Sequence, residues 1–170
     1  MHLSLQAGDD LILKRMKRRH SRDDAVALTE RLRALRPDIA LGADLIAGFP
    51  TESDQAFANT LALVEDCGLT YLHVFPYSER PGTPAARMPQ LPKPVRKARA
   101  KALRDAGEAI LHRFLDTRIG STERVLVEAG GTGRTAHYAP IRLDGTHERG
   151  SIVQALVTGR EDDHLIGQVR

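Results

Sequence analysis

One stretch in the middle of the chain constrains the fold more than any other. Residues 39–52 form an apolar run that ends at Gly48, Phe49 and Pro50 and is followed at once by residues that start helices. Such a run predicts a buried strand that opens into a loop. Asp44 interrupts the run, and a carboxylate in a buried strand needs a partner because an unpaired buried charge is costly. Taken alone, these residues are also compatible with an ordinary corner between a strand and a helix.

Two further strands and the helices between them extend this pattern. Residues 1–6 alternate like a strand, and residues 71–76 form a third one. A helix begins at Ser21, with Asp24 three residues on as a variant of the capping box. Strands that alternate with helices at this spacing predict a parallel α/β fold, in which functional groups collect at the carboxyl ends of the strands. The loops after the three strands are therefore expected to lie together at one edge of the sheet and to line one site.

Helical periodicity predicts which side chains face the core. The inward residues expected from this spacing are Val26, Leu28, Leu32 and Leu35 in one helix and Phe57, Leu61 and Val64 in the next. A long helix over roughly residues 94–116 is expected to turn these residues inward: Val95, Ala98, Ala102, Ala106, Ala109 and Ile110. Its cations are expected to face outward: Lys93, Arg96, Lys97, Arg99, Lys101 and Arg104. Such a row is either a solvated face or a surface that binds phosphates.

The pattern changes after residue 117. Short alternating segments separated by glycine turns at residues 130–133 and 144–145 predict a small antiparallel β-barrel. We therefore expect two domains, residues 1–117 and residues 118–170. The second contains seven basic and seven acidic residues. On charge alone, it fits an RNA-binding module and a packing module equally well.

Composition narrows the class of protein. The formal net charge of +3 over 170 residues is too small to indicate a nucleic-acid partner by itself. The single cysteine, Cys67, excludes an internal disulfide framework and is expected to be a small buried side chain. No apolar stretch is long enough to cross a membrane, and the seven histidines show no metal-ligand spacing. The chain opens in a core strand, from which we expect a preceding part to be missing.

Four motifs, in this order along the chain, resemble the radical SAM methylthiotransferases. They are His-Leu-Ser-Leu-Gln-Ala-Gly at 2–8, Leu-Lys-Arg-Met-Lys-Arg-Arg-His at 13–20, Asp-Leu-Ile-Ala-Gly-Phe-Pro-Thr-Glu at 44–52 and the string from His73 to Met88. The closing segment, with Gly133-Arg134 and His137-Tyr138-Ala139-Pro140, is similar to the TRAM domain of that family. The first and last motifs most resemble the branch that acts on threonylcarbamoyladenosine beside the tRNA anticodon.

The resemblance implies a fold and a function. It implies the second half of a partial six-stranded radical SAM βα barrel followed by a TRAM barrel, as the C-terminal part of a cytoplasmic tRNA methylthiotransferase. The family uses S-adenosylmethionine and two 4Fe-4S clusters, and the three cluster cysteines are absent here. We therefore expect this chain alone to hold no iron and to be inactive. The alternatives are a non-catalytic RNA-binding or structural remnant, and the branches acting on isopentenyladenosine or on a ribosomal-protein aspartate.

The resemblance also implies residue roles. The positions expected at the S-adenosylmethionine site are Gln6, Arg18, Asp44, Ile46, Gly48, Glu52, Phe75 and Tyr77. The positions expected near tRNA are Arg80, Thr83, Lys97, Lys101, Arg134 and His137. Thr51 departs from the family, which usually has glycine there. The implied partners are the tRNA anticodon loop and either the missing N-terminal half or a second copy, because half a barrel leaves the first strand with an unpaired edge and exposed Leu3 and Leu5.

Overall fold

The chain forms two compact units in a computed structural model that describes residues 1–170. The first unit comprises Met1–Ile110 and the second comprises Leu111–Arg170. The expected division at residue 117 lies further along the chain, because Leu111, Phe114 and Leu115 pack with the core of the second unit.

The first unit is a three-stranded parallel sheet with helices between its strands. Its elements are β1 (His2–Gln6), α1 (Asp10–Arg15), α2 (Arg22–Leu35), β2 (Gly42–Ala47), α3 (Asp54–Asp66), β3 (Tyr71–Pro76) and most of α4 (Lys93–Asp116). The strands lie in the order β1-β2-β3, with β2 in the centre. The α/β prediction is confirmed, and the parallel order brings the ends of all three strands to one edge.

Helices cover one face of this sheet. Leu5, Ala43, Leu45 and Ala47 are buried on that face in a single core with residues from α2, α3 and α4, and Leu3 packs against it. The expectation that Leu3 and Leu5 are exposed is therefore wrong, because the alternation of β1 turns both toward the helices. Cys67 belongs to the same core and is fully buried, as predicted.

Helix α2 begins as predicted but turns a different face inward. Ser21 is its N-cap, and the reciprocal capping box with Asp24 is present. Ala25 and Thr29 are the buried residues of the helix, whereas Leu28 is 39% exposed and Leu35 is 84% exposed. The prediction that these two leucines face the core is wrong, because the small side chains at 25 and 29 allow α2 to pack closely and set its rotation.

In helix α4, the prediction that all of the cations face outward is wrong. Ala100, Leu103 and Ile110 line its buried face, and Arg96 and Arg99 lie on that face as well, each 8% exposed. Both arginines were expected to point outward, but each donates hydrogen bonds to the loops that follow β2 and β3. None of the helices, α4 included, combines the length and apolarity that a bilayer-spanning helix requires.

The second unit contains the predicted barrel. Its strands are β4 (Thr122–Val127), β5 (Thr132–Thr135), β6 (Pro140–Leu143), β7 (Ile152–Glu161) and β8 (His164–Val169). They close in the order β4-β5-β6-β8-β7, and every pairing is antiparallel except that of β6 with β8. Alternate residues such as Val125, Ile141, Val157 and Leu165 fill the interior, which explains why these strands alternate between apolar and polar residues.

Candidate functional site

The second face of the parallel sheet carries a different set of side chains, and we call it the open face. It consists of His2, Ser4, Asp44, Ile46, His73 and Phe75, which alternate with the covered residues along β1, β2 and β3. Its residues are partly buried or exposed, and Phe75 is 53% exposed. Ile46 and Phe75 are direct cross-strand partners. Three residues expected at the S-adenosylmethionine site thus lie together: Asp44, Ile46 and Phe75.

Gln6 lies where β1 ends, in an unusual backbone conformation. Its φ is 70°, and the backbone N–H of Ala7 donates to the carbonyl of Leu5 over 2.9 Å. This is a γ-turn of the rare form, which is strained for a residue with a side chain. Strain of this kind clusters at functional sites, and Gln6 was one of the residues expected at the cofactor.

The loop after β2 is organised by Glu52. The backbone N–H of Gly48 donates to Glu52 Oε2 over 3.0 Å, and Arg99 Nη1 donates to the same oxygen over 2.7 Å. Arg99 also donates to the backbone carbonyl of Glu52 over 2.8 Å and to Asp54 Oδ1 over 2.5 Å. Ser53, rather than Thr51, caps α3. Glu52 therefore braces the loop from inside, and its carboxylate does not point to solvent.

The environment of the Glu52 carboxyl group is unfavourable for its charge. The side chain is fully buried, and its second oxygen, Oε1, has no hydrogen-bond partner. Burial raises the pKa of Glu52, and the hydrogen bonds from Arg99 and from the Gly48 N–H oppose that rise. Arg99 is thus the cation that makes a buried carboxylate tolerable at this position.

Thr51, where the family resemblance implies glycine, lies in a backbone conformation that suits glycine. Its φ is 67°, in the left-handed region that disfavours β-branched side chains. Arg15 Nη1 donates to Thr51 Oγ1 over 2.6 Å, and the Thr51 N–H donates to the carbonyl of Pro89. These contacts hold the threonine in a conformation that it rarely adopts.

Tyr77 directly follows β3 and connects the loop after β3 with the loop after β2. Its N–H donates to the carbonyl of Ala47 over 2.8 Å, and its own carbonyl accepts from Arg96 Nη1 over 3.0 Å. Its ring packs edge-on against Phe49, with ring centroids 5.3 Å apart. A Cβ added at Gly48 would lie 2.5 Å from Arg96 Cγ, so the space beside Gly48 is taken by Arg96 rather than left to a ligand.

Arg18 reaches the sheet from the segment after α1. Its Nη2 donates to the backbone carbonyl of Ser4 over 2.7 Å, and the side chain is exposed. The guanidinium group therefore lies beside β1 and keeps further donors for an anion. This position is compatible with the expected contact to a carboxylate.

Two histidines that spacing along the chain does not reveal meet at Asp44. His2 Nε2 donates to Asp44 Oδ1 over 2.9 Å, and His73 Nδ1 lies 3.3 Å from the same oxygen. The two rings are 4.7 Å apart. The hydrogen bond from His2, with help from His73, lowers the pKa of Asp44 despite some desolvation. The parallel register of the strands brings these residues together, because Asp44 is directly opposite His73 and His2 is opposite Gly42 in the same strand as Asp44.

The residues expected near tRNA lie in different surroundings. Lys97 and Lys101 are exposed on α4, and Lys101 pairs with Asp105 over 2.6 Å. In the segment after β3, Arg80 is exposed and Thr83 Oγ1 donates to its carbonyl over 2.8 Å. These four positions are compatible with an approaching nucleic acid.

The two barrel positions differ from each other. Arg134 lies over the ring of Tyr138 at 4.7 Å, and Tyr138 is 68% exposed. His137 is 8% exposed, with Nδ1 3.5 Å from Glu123 Oε2 and its ring against Phe114. The expected contact between His137 and RNA does not fit this burial. The neighbouring Tyr138, which the sequence reasoning omitted, is the accessible aromatic side chain of this segment.

The described residues do not fit an iron–sulfur cluster. Such clusters are held by several cysteine thiolates. Cys67 is the single cysteine and is fully buried, and burial raises the pKa of its thiol although a hydrogen bond with Thr29 and the charge of Arg33 oppose this. A buried, protonated thiol without a second one nearby is not a cluster ligand.

A parallel βα sheet with its functional side chains at the strand ends, followed by a small closed barrel, is the arrangement that the sequence motifs imply. Residues 1–64 match the sequence model of the radical SAM superfamily. Over 164 residues, or 96% of its length, the chain is 48% identical to the threonylcarbamoyladenosine tRNA methylthiotransferase MtaB of Rickettsia prowazekii (strain Madrid E). The chain spans 39% of the length of that relative. These comparisons confirm the resemblance to the radical SAM methylthiotransferases.

Proposed function

We propose that this chain is part of a cytoplasmic tRNA methylthiotransferase that modifies threonylcarbamoyladenosine. The 48% identity to a relative with that printed activity carries the proposal. The placement of Asp44, Ile46 and Phe75 on one accessible sheet face supports it. The branches that act on isopentenyladenosine or on a ribosomal-protein aspartate fit the motifs less well.

The open face has groups suited to S-adenosylmethionine. Ile46 and Phe75 offer an adjacent apolar surface for an adenine ring, and Gln6 supplies an amide at the end of β1. Arg18 can pair a carboxylate through its free donors. When bound beside a reduced cluster, S-adenosylmethionine supplies radical chemistry, and the cysteines for that cluster are not among these 170 residues. The role that we assign to this chain is therefore to bind and orient.

Two surfaces suit tRNA. The exposed side of α4 carries Lys93, Lys97, Lys101 and Arg104. Cations in such a row attract phosphates without reading sequence. On the barrel, the stacked Arg134 and Tyr138 offer a planar cation and an aromatic face, which are the groups that hold unpaired bases.

A salt titration of tRNA binding tests the role of α4. The double variant K97E/K101E should weaken binding and flatten the plot of log affinity against log salt by about one unit for each lost phosphate contact. The variant R31E/R36E is a matched control, because it reverses two exposed arginines of the α2 region that lie outside both proposed surfaces. An unchanged slope in K97E/K101E, or an equal change in the control, would contradict the assignment of α4.

RNA binding without catalysis is the second candidate function, favoured by the single buried cysteine. Equilibrium dialysis with labelled S-adenosylmethionine separates the two candidates. The enzyme proposal predicts that the chain binds S-adenosylmethionine and that Phe75→Ala weakens this binding. An RNA-binding remnant predicts binding of tRNA but no affinity for S-adenosylmethionine. Leu126→Ala, a change of an exposed apolar residue on the barrel, should leave dialysis unchanged and serves as the control.

A further inference from the structure

We propose that His2, Asp44 and His73 form a binding site for a divalent transition-metal ion of the zinc type. One nitrogen from each histidine and one oxygen of Asp44 lie within 4.8 Å of one another. Two imidazoles and a carboxylate are the donor set of many zinc and non-haem iron sites. The site requires no cysteine.

The backbone fixes the three donors independently of one another. Each comes from a different strand, and the strands are held in parallel register, with Asp44 directly opposite His73. His2 pairs instead with Gly42, and a Cβ on that glycine would lie 2.7 Å from His2 Nδ1. The absence of a side chain at Gly42 therefore lets the His2 ring lie across the sheet toward Asp44. The donors lie on a rigid sheet rather than on a flexible loop.

The charge and accessibility of the group suit an ion. Asp44 Oδ1 lies 2.9 Å from His2 Nε2 and 3.3 Å from His73 Nδ1, so the carboxylate faces both imidazoles. Ser4 Oγ approaches the other carboxylate oxygen at 3.5 Å, where it can orient the ligand. The side chains of His73 and His2 are 62% and 41% exposed. Three protein ligands on an accessible face leave a fourth position for water, as in open zinc sites.

Metal binding uses the same ring nitrogens that face Asp44. His2 Nε2 donates to Asp44 Oδ1 over 2.9 Å, and His73 Nδ1 lies 3.3 Å from that oxygen. A metal binds the lone pair of a nitrogen, so a proton on that nitrogen must move to the other ring nitrogen or be released to solvent. The aspartate then offsets one of the two positive charges of the ion.

Zinc titration of the 170-residue chain tests the proposal, after treatment with a chelator and transfer to chelator-free buffer at neutral pH. Calorimetry should show one equivalent of Zn²⁺ bound, and Co²⁺ should give the visible bands of a four-coordinate ion. His73→Gln and Asp44→Asn should each weaken binding at least about tenfold, the lower limit seen when even an outer partner of a metal ligand is lost. Circular dichroism verifies the fold, and His2→Gln is the alternative variant if Asp44→Asn does not fold.

His147 provides a control histidine outside the proposed site. It lies in the barrel unit, where its Nε2 contacts the backbone carbonyl of Asp144. His147→Gln should leave zinc affinity unchanged. The proposal is overturned if the chain binds no zinc, if His73→Gln binds as tightly as the original chain, or if His147→Gln removes the binding.

Discussion

Arg99 offers the sharpest test of how the loop after β2 is held. Replacing it with methionine keeps an unbranched aliphatic side chain but removes the guanidinium group, whose Cζ lies 5.2 Å from the centre of the Phe57 ring. The change also removes every hydrogen bond from residue 99 to Glu52 and Asp54. Glu52 would then be fully buried, with the Gly48 N–H as its remaining hydrogen-bond donor. The rest of α4 is unchanged, because methionine and arginine have similar helix propensities.

The expected cost follows from the burial of the carboxylate. Removing one partner of a buried ion pair destabilises a protein by about 3–5 kcal/mol, because the other charge stays buried without compensation. The contact from Arg99 to Asp54 adds little to this cost, since the Asp54 side chain is fully exposed. Changing both partners, in Glu52→Met with Arg99→Met, should cost less than Arg99→Met alone, because no charge is then left buried.

The loss of stability in Arg99→Met should depend on pH. The pKa of Glu52 is raised in the folded chain, so the folded state binds more protons than the unfolded state between the ordinary and the raised pKa. Stability from this group is therefore present below the ordinary pKa and falls as pH rises through the folded pKa. Without Arg99 the folded pKa rises further, and the fall extends to higher pH. Arg99→Met should consequently cost more at about pH 7.5 than at about pH 5.

Urea unfolding followed by circular dichroism measures both effects, and exchange of the Gly48 amide reports the loop directly. Lys101→Met is the matched control on the same helix, because its exposed pair with Asp105 is worth only about 0.3–0.5 kcal/mol. A loss in Arg99→Met no larger than in Lys101→Met, or one that does not change with pH, would refute the assigned role of Arg99.

Three further outcomes are expected. Gly48→Ala should destabilise the chain by about 2–4 kcal/mol in urea unfolding, because φ is 71° and the new Cβ would meet Arg96. Gly82→Ala is the control, because φ is 84° there but the space around it is open, and it should cost about 1–2 kcal/mol in the same assay. Ser21→Ala should cost about 1 kcal/mol through loss of the N-cap of α2, and no shift in the urea midpoint would contradict the capping role. Cys67 should react with a thiol reagent only after unfolding, because its thiol is fully buried with a raised pKa; rapid labelling of the folded chain would contradict this.

The fold was largely predictable because its signals are local. Alternating strands, the capping box at Ser21 and glycine turns are each readable within a few residues. The rotation of the helices was not. In α4, Arg96 and Arg99 face inward because their partners, among them Glu52, lie tens of residues away, and nothing adjacent in sequence distinguishes a buried arginine from an exposed one.

The candidate site was predictable only in part, for a related reason. Asp44, Ile46 and Phe75 were expected at the site through the resemblance to the family, and the strand was expected to be buried. That these three residues share one accessible face is seen only in the structure. The meeting of His2 and His73 at Asp44 depends on parallel register between three strands. His137 and Tyr138 are adjacent in sequence, and only the closed barrel decides that His137 is buried while Tyr138 is exposed.

Parallel pairing of β1 with β2 also sets the order in which the chain acquires its structure. His2 pairs with Gly42, so the segment that contains α1 and α2 must close into a loop before the first contact between β1 and β2 forms. By contrast, β7 and β8 meet through a tight turn at Asp162 and Asp163. Hairpins form in microseconds, whereas pairings distant in sequence are delayed by the entropy of closing a long loop. We therefore expect the β7–β8 hairpin to form early and the pairing of β1 with β2 to form later, so the apolar side chains of β1 stay accessible to other chains for longer.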